Sequence, residues 1–284
     1  AAPVGESALL VQVIRVDSNA ELAALVSSGT ASGSGTAVDP YVIDGLEIDA
    51  AGQGAAIYIG NTTSYLRICN CTLYGAAYLA NYFAHGGAIN LYDVENVVVE
   101  NNVISSSHHG VYAKNALNVV LTGNTVNSVS FYGMAVYVSS HCLIEDNDVM
   151  GSNCGVFLTN AHDCEVRDNG LSGNSNSGLR VESSNTILVM NNTCDNDAMS
   201  GISLSNSDCI SVVDNTCVGS RRGMWLWSSD LNLVEGNVIN SSTECGILVD
   251  TSHQNRFANN TVLFSDDYGF YLTYAEGNVF IENA

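Results

Sequence analysis

Two parts of the chain gather residue types that could do chemistry. The first is the stretch SRRGMWLWSSD, Ser220 to Asp230, which holds both tryptophans of the chain, Trp225 and Trp227. It also holds two of only eight Lys and Arg residues, Arg221 and Arg222. Indole rings can stack on flat apolar surfaces such as sugar rings, and guanidinium groups donate several hydrogen bonds. This stretch is therefore a candidate ligand site.

The second part is a set of acidic and imidazole side chains at regular spacing. Asp208 and Asp230 are 22 residues apart, and His253 follows 23 residues later. If these residues occupy equivalent places in a repeat, the two carboxylates would lie about 5 Å apart. Carboxylates that close either raise one another's pKa or share a cation such as Ca²⁺. Asp208, Asp230 and His253 are thus candidate catalytic residues, and the two aspartates a candidate calcium site.

The overall charge excludes several classes of partner. Asp and Glu number 29 and the formal net charge is −21. Nucleic acids and anionic lipids require clustered Lys and Arg, so neither is an expected partner. No run of eighteen apolar residues exists, and no membrane insertion is expected. The start without Met and five N-x-S/T sequons predict a secreted, extracellular glycoprotein. The sequons lie at Asn61, Asn70, Asn191, Asn240 and Asn259.

A repeat of 22 or 23 residues organises the chain. Its glycines are Gly87, Gly110, Gly133, Gly155, Gly178, Gly201, Gly223, Gly246 and Gly269. An asparagine follows each glycine by fourteen residues: Asn101, Asn124, Asn147, Asn169, Asn192, Asn215, Asn237, Asn260 and Asn283. Solenoids and propellers have periods of this size, and in a stacked coil the asparagine amides would form a ladder at one corner.

Apolar residues alternate within each repeat and predict three short strands. Residues one and three places after the glycine face inward, as do residues nine and eleven places after it. A third strand follows the asparagine, with Val103 and Val126 in equivalent places. The pattern predicts an all-β fold, a single-stranded right-handed parallel β-helix (solenoid) of about ten coils.

The repeat also sets the expected domain boundaries. Residues 1–38 are predicted to form an N-terminal strand/helix cap whose helix starts at Ser18 or Asn19, and residues 39–284 the β-helix. Residues 74–86 interrupt it as an inserted loop. The sequence stops partway round a coil, so we expect an uncapped C-terminal coil that could dock on a neighbouring molecule.

Outward positions on the first strand form a candidate glycan- or partner-binding face. Besides the tryptophans it would include Arg180, Arg222, Tyr112, Tyr137, Phe157 and Tyr271. Outward aromatic residues also form good strands and stack on one another, which is the alternative interpretation. Two-carboxylate hydrolysis is not expected on this face, since Glu182 and Asp250 would lie three coils apart, roughly 14 Å.

Structural alternatives also exist for the other candidates. Tight turns select Asp, Asn and His, and we favour this explanation for Asp208 and Asp230. His85, His108 and His109, beside Tyr82, Phe83 and Tyr132, form a possible transition-metal cluster, for which exposed turn histidines are the favoured alternative. Cys142 with Cys164, and Cys194 with Cys217, are expected to pack as free thiols. Cys154 and Cys245 are candidates for intermolecular bridges.

These motifs resemble a known family. The repeat G-[IVLM]-x-[LV]…N-x-[VIT], with DPYVIDGLEIDA leading into GAAIYIGNTT and RICNC, resembles NosD-type proteins of the pectate-lyase-like superfamily. The resemblance covers roughly Asp39 to Ala284 and implies a right-handed parallel β-helix on an archaeal or bacterial surface. It leaves activity open, because the superfamily includes lyases, hydrolases, epimerases, tailspikes and surface proteins without catalysis.

Three functional hypotheses follow. The first is a non-catalytic extracellular structural protein that self-associates through its C-terminal coil into a filament or surface layer. The second is a polysaccharide-binding module that uses the first-strand face. The third is a polysaccharide lyase or hydrolase centred on Asp208 and Asp230, with Ca²⁺ as its one possible cofactor.

Overall fold

The structure is a computed structural model that describes residues 12–79 and 86–284. It is an all-β, right-handed parallel β-helix with three short strands in each coil. Every strand pairs in parallel with the equivalent strand of the next coil. Side chains of one column therefore stack at the inter-strand spacing of about 4.8 Å. The expected fold class is confirmed.

The first strands of the coils form one column of the solenoid. They are β1 (Ile14–Val16), β4 (Ile57–Thr62), β7 (Gly87–Glu100), β9 (His109–Thr122), β11 (Tyr132–Tyr137), β14 (Cys154–Thr159), β17 (Ser177–Glu182), β20 (Ser200–Ser205), β23 (Arg222–Trp227), β26 (Cys245–Asp250) and β29 (Tyr268–Thr273). Their outward side chains make the surface that we call the first-strand face.

The second strands join the same sheet, because β7 and β9 run through both columns without a break. They are β2 (Tyr41–Asp44), β5 (Leu66–Cys69), the C-terminal halves of β7 and β9, β12 (Leu143–Glu145), β15 (His162–Arg167), β18 (Asn185–Met190), β21 (Ser211–Val213), β24 (Leu233–Glu235), β27 (Arg256–Ala258) and β30 (Val279–Ile281).

The third strands form a separate sheet. They are β3 (Glu47–Asp49), β6 (Thr72–Tyr74), β8 (Val103–Ser105), β10 (Thr125–Asn127), β13 (Asp148–Met150), β16 (Gly170–Ser172), β19 (Thr193–Asp195), β22 (Thr216–Val218), β25 (Val238–Asn240) and β28 (Thr261–Leu263). Aliphatic side chains from all three columns meet in one continuous core.

The N-terminal helix is inserted within the first coil. Helix α1 (Asn19–Ser27) begins after Ser18, whose hydroxyl accepts the backbone N–H of Glu21, as the sequence predicts. However, β1 precedes the helix and already pairs with β4. The sheet of the solenoid therefore starts at Ile14, and the boundary expected at residue 38 falls inside the first coil. No helix in the described part of the chain is long and apolar enough to cross a membrane.

A ladder of buried asparagines ties the coils together at the corner before the third strand. In Asn192, Oδ1 accepts both the backbone N–H and the side-chain amide of Asn169, at 3.1 and 2.9 Å. Its own Nδ2 donates to the carbonyl of Val166 in the preceding coil and to Oδ1 of Asn215 in the next. The same pattern continues through the other members: Asn102, Asn124, Asn147, Asn237, Asn260 and Asn283.

The expected ladder is wrong at its first member. Asn102 occupies the position, accepting from the backbone of Cys71, whereas Asn101 lies exposed one residue earlier with φ 54°. Ala88 pairs in register with Gly110, so Ala88 and not Gly87 occupies the repeat position that glycine holds in later coils. In the third strand of the same coil, Ile104 faces inward and Val103 does not. The first full repeat is offset by one residue.

The corner also explains most of the sequons. The residue before each ladder asparagine has left-handed backbone, which Asn adopts more readily than most residues. Asn70, Asn191 and Asn259 occupy this position, and the third strand that follows often starts with Thr. An N-x-T sequence is therefore a consequence of the repeat. Asn70 is accordingly not a ladder member, because its side chain donates to Asp44 outside the core.

Asp197 is an exception in the lining of the core. Its side chain is 1% exposed, and Oδ1 accepts two hydrogen bonds from Asn174, whereas Oδ2 has no partner among the described residues. Burial raises the pKa of this carboxyl to about 7. At alkaline pH the Asp197 carboxylate is therefore charged in the folded state, where it is less well solvated than in the unfolded chain.

The register at the ladder can be tested by replacing neighbouring asparagines. We expect Asn102→Ala to lower the free energy of unfolding by about 3 kcal/mol, because it leaves buried backbone groups of Cys71 and Ile68 unpaired. Asn101→Gly should change it by less than about 0.5 kcal/mol, since glycine accepts the left-handed backbone. Urea denaturation measures the free energy of unfolding of both variants. Equal losses of this free energy in the two variants would contradict the one-residue offset.

The buried carboxyl predicts a pH dependence. Because the folded pKa lies above the unfolded value of 3.8, Asp197 lowers stability progressively as pH rises from about 4 to 7. The full difference corresponds to about 4 kcal/mol at about 1.4 kcal/mol for each pKa unit. Asp197→Asn should remove this slope and be more stable than the parent at pH 8. Thermal melts from pH 4 to 8 test this pH dependence, and Asp195→Asn, at a half-buried neighbour, is the control. If the stabilities of the parent and of Asp197→Asn change with pH in parallel, the prediction is wrong.

Candidate functional site

The first-strand face contains one rung of small side chains between rungs of large ones. Strand β20 presents Ser200, Ser203 and Ser205 outward, all three buried by their neighbours. In register on the preceding rung are Ser177, Arg180 and Glu182, and on the following rung Arg222, Trp225 and Trp227. The missing side-chain volume at β20 leaves a notch across the face.

The notch is a cleft of about 240 Å³, which we call the serine cleft. It is lined by Asn176, Ser177, Arg180, Met199, Ser200, Ser203, Ser205, Trp225 and Trp227. Serine hydroxyls form its floor, the two indole rings one wall and the arginine the opposite wall. Such a mixture of flat apolar surface and a few convergent polar groups is typical of small-ligand sites.

The tryptophan wall is held from behind. The rings of Trp225 and Trp227 lie 6.4 Å apart and are tilted by 31°, and the guanidinium of Arg222 covers the Trp225 ring at 4.8 Å. Arg222 in turn donates to both carboxylate oxygens of Glu244, each at 3.2 Å. Arg221 contacts the same carboxylate at 2.6 Å, so Glu244 is the charge partner of both arginines.

Polar atoms in the cleft retain unused hydrogen-bonding capacity. The indole Nε1 of Trp225 and the hydroxyl of Ser200 are buried and have no partner among the described residues. An unpaired buried donor costs about 1–3 kcal/mol, so such a group calls for an additional partner such as water or a ligand. These two groups adjoin the cleft from its wall and its floor.

The opposite wall continues into an aromatic cluster. The guanidinium of Arg180 lies 5.6 Å from the ring centroid of Phe157, which stacks on Tyr132 at 4.5 Å and meets Tyr137 edge-on at 5.5 Å. Burial raises the pKa of the Tyr137 phenol and raises that of Tyr112 to about 12, so both stay neutral. This packing makes a rigid base for Arg180.

The predicted glycan- or partner-binding residues therefore separate into two groups. Trp225, Trp227 and Arg180 meet at the serine cleft, with Arg222 supporting it. Tyr112 and Phe157 are only 6% and 4% exposed, because the aromatic rings of neighbouring rungs cover them, so they offer no ligand surface. Tyr137 is half-buried among the same rings, and Tyr271 is exposed two rungs beyond Trp225.

The serines were missed by reasoning from the sequence alone. Serine attracts little attention on a face read for aromatic and charged groups. The signal was present in the hexapeptide SGISLS, Ser200 to Ser205, which places a small polar residue at all three outward positions. At each of the three positions, the residue in register on β17 or on β23 has a large side chain. A drop in side-chain volume from one rung to the next predicts a notch in the face.

Asp208, Asp230 and His253 form a second ladder at the turn between the first and second strands. Oδ1 of Asp208 accepts the backbone N–H of Asp230 at 2.8 Å, and Oδ1 of Asp230 accepts that of His253 at 2.6 Å. Nδ1 of His253 accepts from Glu276 in the same way. These side chains thus replace missing backbone partners at a tight turn.

The same turn does not meet the requirements of a calcium site. Calcium takes six to eight oxygen ligands. Across residues 12–79 and 86–284, no group of three His, Cys, Asp or Glu side chains lies together in a way that could hold a metal ion. One oxygen of each aspartate is also already engaged by a backbone amide.

The cysteines occupy inward or covered positions, with one exception. Cys142, Cys164, Cys194 and Cys217 are buried in the core, and all nine cysteines are free. Cys154 and Cys245 are buried as well, so the expectation that they form intermolecular bridges is wrong. Burial raises the pKa of the Cys154 thiol and raises that of Cys245 to about 11. Cys209 is the exposed thiol.

Two family profiles match the chain. One, described as "Periplasmic copper-binding protein (NosD)", matches residues 66–215, more than half of the sequence. The chain belongs to the NosD family. The second profile, described as "Right handed beta helix region", matches residues 154–284. Comparison with curated protein sequences finds no significant match.

Solved structures support the fold of this NosD-family chain. The D317A mutant of the periplasmic alginate epimerase AlgG has a TM-score of 0.69 at 13% identity, covering 96% of this chain and 84% of its own. The Azotobacter vinelandii mannuronan C-5 epimerase AlgE6 A-module has a TM-score of 0.69 at 15% identity, covering 93% and 89%. The DFA-IIIase of Arthrobacter chlorophenolicus A6 has a TM-score of 0.72 at 13% sequence identity. The match covers 83% of this chain and 70% of the DFA-IIIase chain. At these identities the likeness concerns the fold.

The family description names copper, but residues 12–79 and 86–284 bring together no group of three His, Cys, Asp or Glu side chains that could hold a metal ion. Copper sites use thiolate, thioether or imidazole ligands. Nδ1 of His108 is 3.1 Å from the Ser130 hydroxyl, and Nδ1 of His109 accepts the backbone N–H of Tyr132. The other members of the predicted cluster, His85, Tyr82 and Phe83, lie outside the described residues.

Proposed function

We propose that the chain is a carbohydrate-binding β-helix that holds a sugar ring in the serine cleft. The observation that carries the proposal is the single rung of serines on β20, enclosed by two tryptophans on one side and an arginine on the other. Sugars combine apolar faces with hydroxyl groups, and the cleft offers a complement to each.

The apolar complement is the exposed face of Trp227. Its side chain is 42% exposed at the cleft, whereas Trp225 is more deeply placed and covered by Arg222. Apolar surface removed from water contributes about 25 cal/mol per Å², so about 55 Å² of indole covered by a sugar ring contributes about 1.4 kcal/mol. Trp227 is therefore the main stacking surface, and Trp225 sets its position and supplies the buried indole N–H.

The polar complement is the set of groups around the floor. The Ser200 hydroxyl and the Trp225 N–H lack partners among the described residues, and the Arg180 guanidinium has donors beyond its ion pair with Glu182. Sugar hydroxyls both donate and accept, so they can pair with the free donors of Arg180 and complement the polar floor of the cleft.

Binding is better supported than hydrolysis. Retaining and inverting glycosidases place two carboxyl groups about 5–9.5 Å apart. On the first-strand face Glu182 and Asp250 belong to one column but are separated by the rungs of Ser205 and Trp227. Three rungs correspond to roughly 14 Å. The proposal therefore assigns recognition to the cleft and no bond cleavage.

An extracytoplasmic location accords with this role. The family description names the periplasm, and the −21 charge with few lysines suits a soluble carbohydrate-binding surface. We place the protein outside the cytoplasm on these grounds, in the periplasm or at the cell surface, where polysaccharides are accessible.

Replacing Trp227 tests the proposed function. We expect Trp227→Ala to weaken glycan binding by about tenfold or more, because it removes the exposed stacking surface, equivalent to about 1.4 kcal/mol. Trp225→Phe should weaken it by about threefold to tenfold through loss of the indole N–H. A glycan array would identify ligands, and isothermal titration would give the affinities.

Tyr271→Ala is the matched control, since Tyr271 is equally exposed on the same face but outside the cleft. It should change affinity by less than about twofold. If the array shows no binding at all, or if the Trp227 and Tyr271 variants weaken binding equally, the proposed site is wrong.

A second candidate function is self-association through the last described rung. Leu272, Val279 and Phe280 on β29 and β30 are 40%, 49% and 40% exposed. Parallel strands with exposed apolar side chains can accept a further strand from another molecule. This surface would support the filament or layer expected from the sequence.

Removing apolar surface from this rung tests self-association. Leu272→Ser with Phe280→Ser should raise the dissociation constant of any assembly by more than about tenfold, because it removes buried apolar area. Light scattering across protein concentration and salt would measure it. Leu231→Ser is the control, an exposed leucine on the lateral surface. A parent protein that stays monomeric at all concentrations would eliminate this candidate.

A further inference from the structure

The arginines around the serine cleft are all neutralised by glutamates. Nη2 of Arg180 lies 2.8 Å from Oε2 of Glu182, and the two side chains are 37% and 33% exposed. On the far side, Arg221 and Arg222 share the carboxylate of Glu244 behind the tryptophan wall. Arg180 is therefore the cation that reaches the cleft, and it already has a counter-ion.

Carboxylates also bracket the column that runs through the cleft. Glu182, Ser205, Trp227 and Asp250 follow one another in register on β17, β20, β23 and β26. A ligand on Ser205 and Trp227 thus has a carboxylate at each end of its column. The protein as a whole adds a formal charge of −21. A second negative charge beside Glu182 would be repelled rather than bound.

We propose that Glu182 makes the serine cleft selective for uncharged sugars, by occupying Arg180 and repelling carboxylate-bearing glycans. This inference rests on the proposed function and adds its substrate class. The guanidinium has five N–H donors, so its ion pair leaves donors for neutral hydroxyl groups. The packing of Arg180 on Phe157 holds these donors at the cleft wall.

The charge argument makes Glu182 a specificity-determining residue rather than a source of affinity. A neutral sugar gains hydrogen bonds from Arg180 whether or not Glu182 is charged. A uronate sugar would have to displace Glu182 from Arg180 and would then leave that carboxylate without its partner. Removing the charge on Glu182 should therefore change the binding of the two classes unequally.

The test compares neutral hexose oligomers with uronate oligomers of matched length, on an array and by titration. The parent should bind neutral oligomers at least about tenfold more tightly than uronates, with little dependence on salt between about 0.05 and 0.5 M. Glu182→Gln should improve uronate binding by about tenfold and change neutral binding by less than about twofold.

Glu100→Gln is the matched control, because Glu100 pairs with Arg67 away from the cleft. This variant should bind neutral and uronate oligomers with the same affinities as the parent. Preference of the parent for uronates, or a Glu182→Gln variant whose uronate affinity equals that of the parent, would overturn the inference while leaving glycan binding in place. Binding of neither class by parent or variant would instead overturn the proposed function, and this inference with it.

Discussion

The in-register parallel pairing of successive coils governs everything else in this molecule. From β9 onward, each strand residue lies directly above the one 22 or 23 positions earlier, so every column repeats one environment at steps of about 4.8 Å. A polar group buried at a corner finds its partners in the adjoining backbone and in its counterpart in the next coil. Asparagine meets this demand, since its amide accepts from one neighbour and donates to the other. The buried ladder therefore fixes the register, and the register fixes the surface.

This constraint gives the solenoid surface its functional variability. The inward positions must remain apolar and the corners must remain hydrogen-bonded, but outward positions on the first-strand face are limited only by their neighbours in the column. Changing one rung to serine produces a cleft without altering a strand or a turn. Widely different activities can then occur on the same backbone, which is why likeness to epimerases and hydrolases at 13–15% identity establishes the fold alone.

Most of the fold could be predicted from the sequence because the constraint is periodic. The spacing of glycines and asparagines predicts three strands per coil, and residues such as Leu179 and Val181 face inward as expected. The offset at Asn101 and Asn102 could not be predicted, since two adjacent asparagines and two adjacent apolar residues satisfy either register. Contacts with neighbouring coils distinguish them, namely the hydrogen bond from the Cys71 backbone and the pairing of Ile104 with Val126. Periodicity predicts that an asparagine column exists, but where two adjacent residues are both asparagine it does not specify which of them belongs to the column.

The candidate site was predictable only in part, for a different physical reason. The tryptophans were evident by type and outward position, but a cleft depends on the volume that is absent beside them. Burial of Phe157 and Tyr112 depends on how rings from several rungs pack sideways, which a one-dimensional pattern does not contain.

Buried polar atoms without partners distinguish the serine cleft from the turn that holds Asp208, Asp230 and His253. Each of those three side chains uses one polar atom to accept from the backbone of the next coil, and that atom is employed in holding the turn. The indole of Trp225 and the hydroxyl of Ser200 have no such task among the described residues. Unpaired buried polar atoms also occur elsewhere in the described residues, for example at Asp197, Ser220 and Ser242, so it is their position beside the tryptophan wall that links Ser200 and Trp225 to a ligand site.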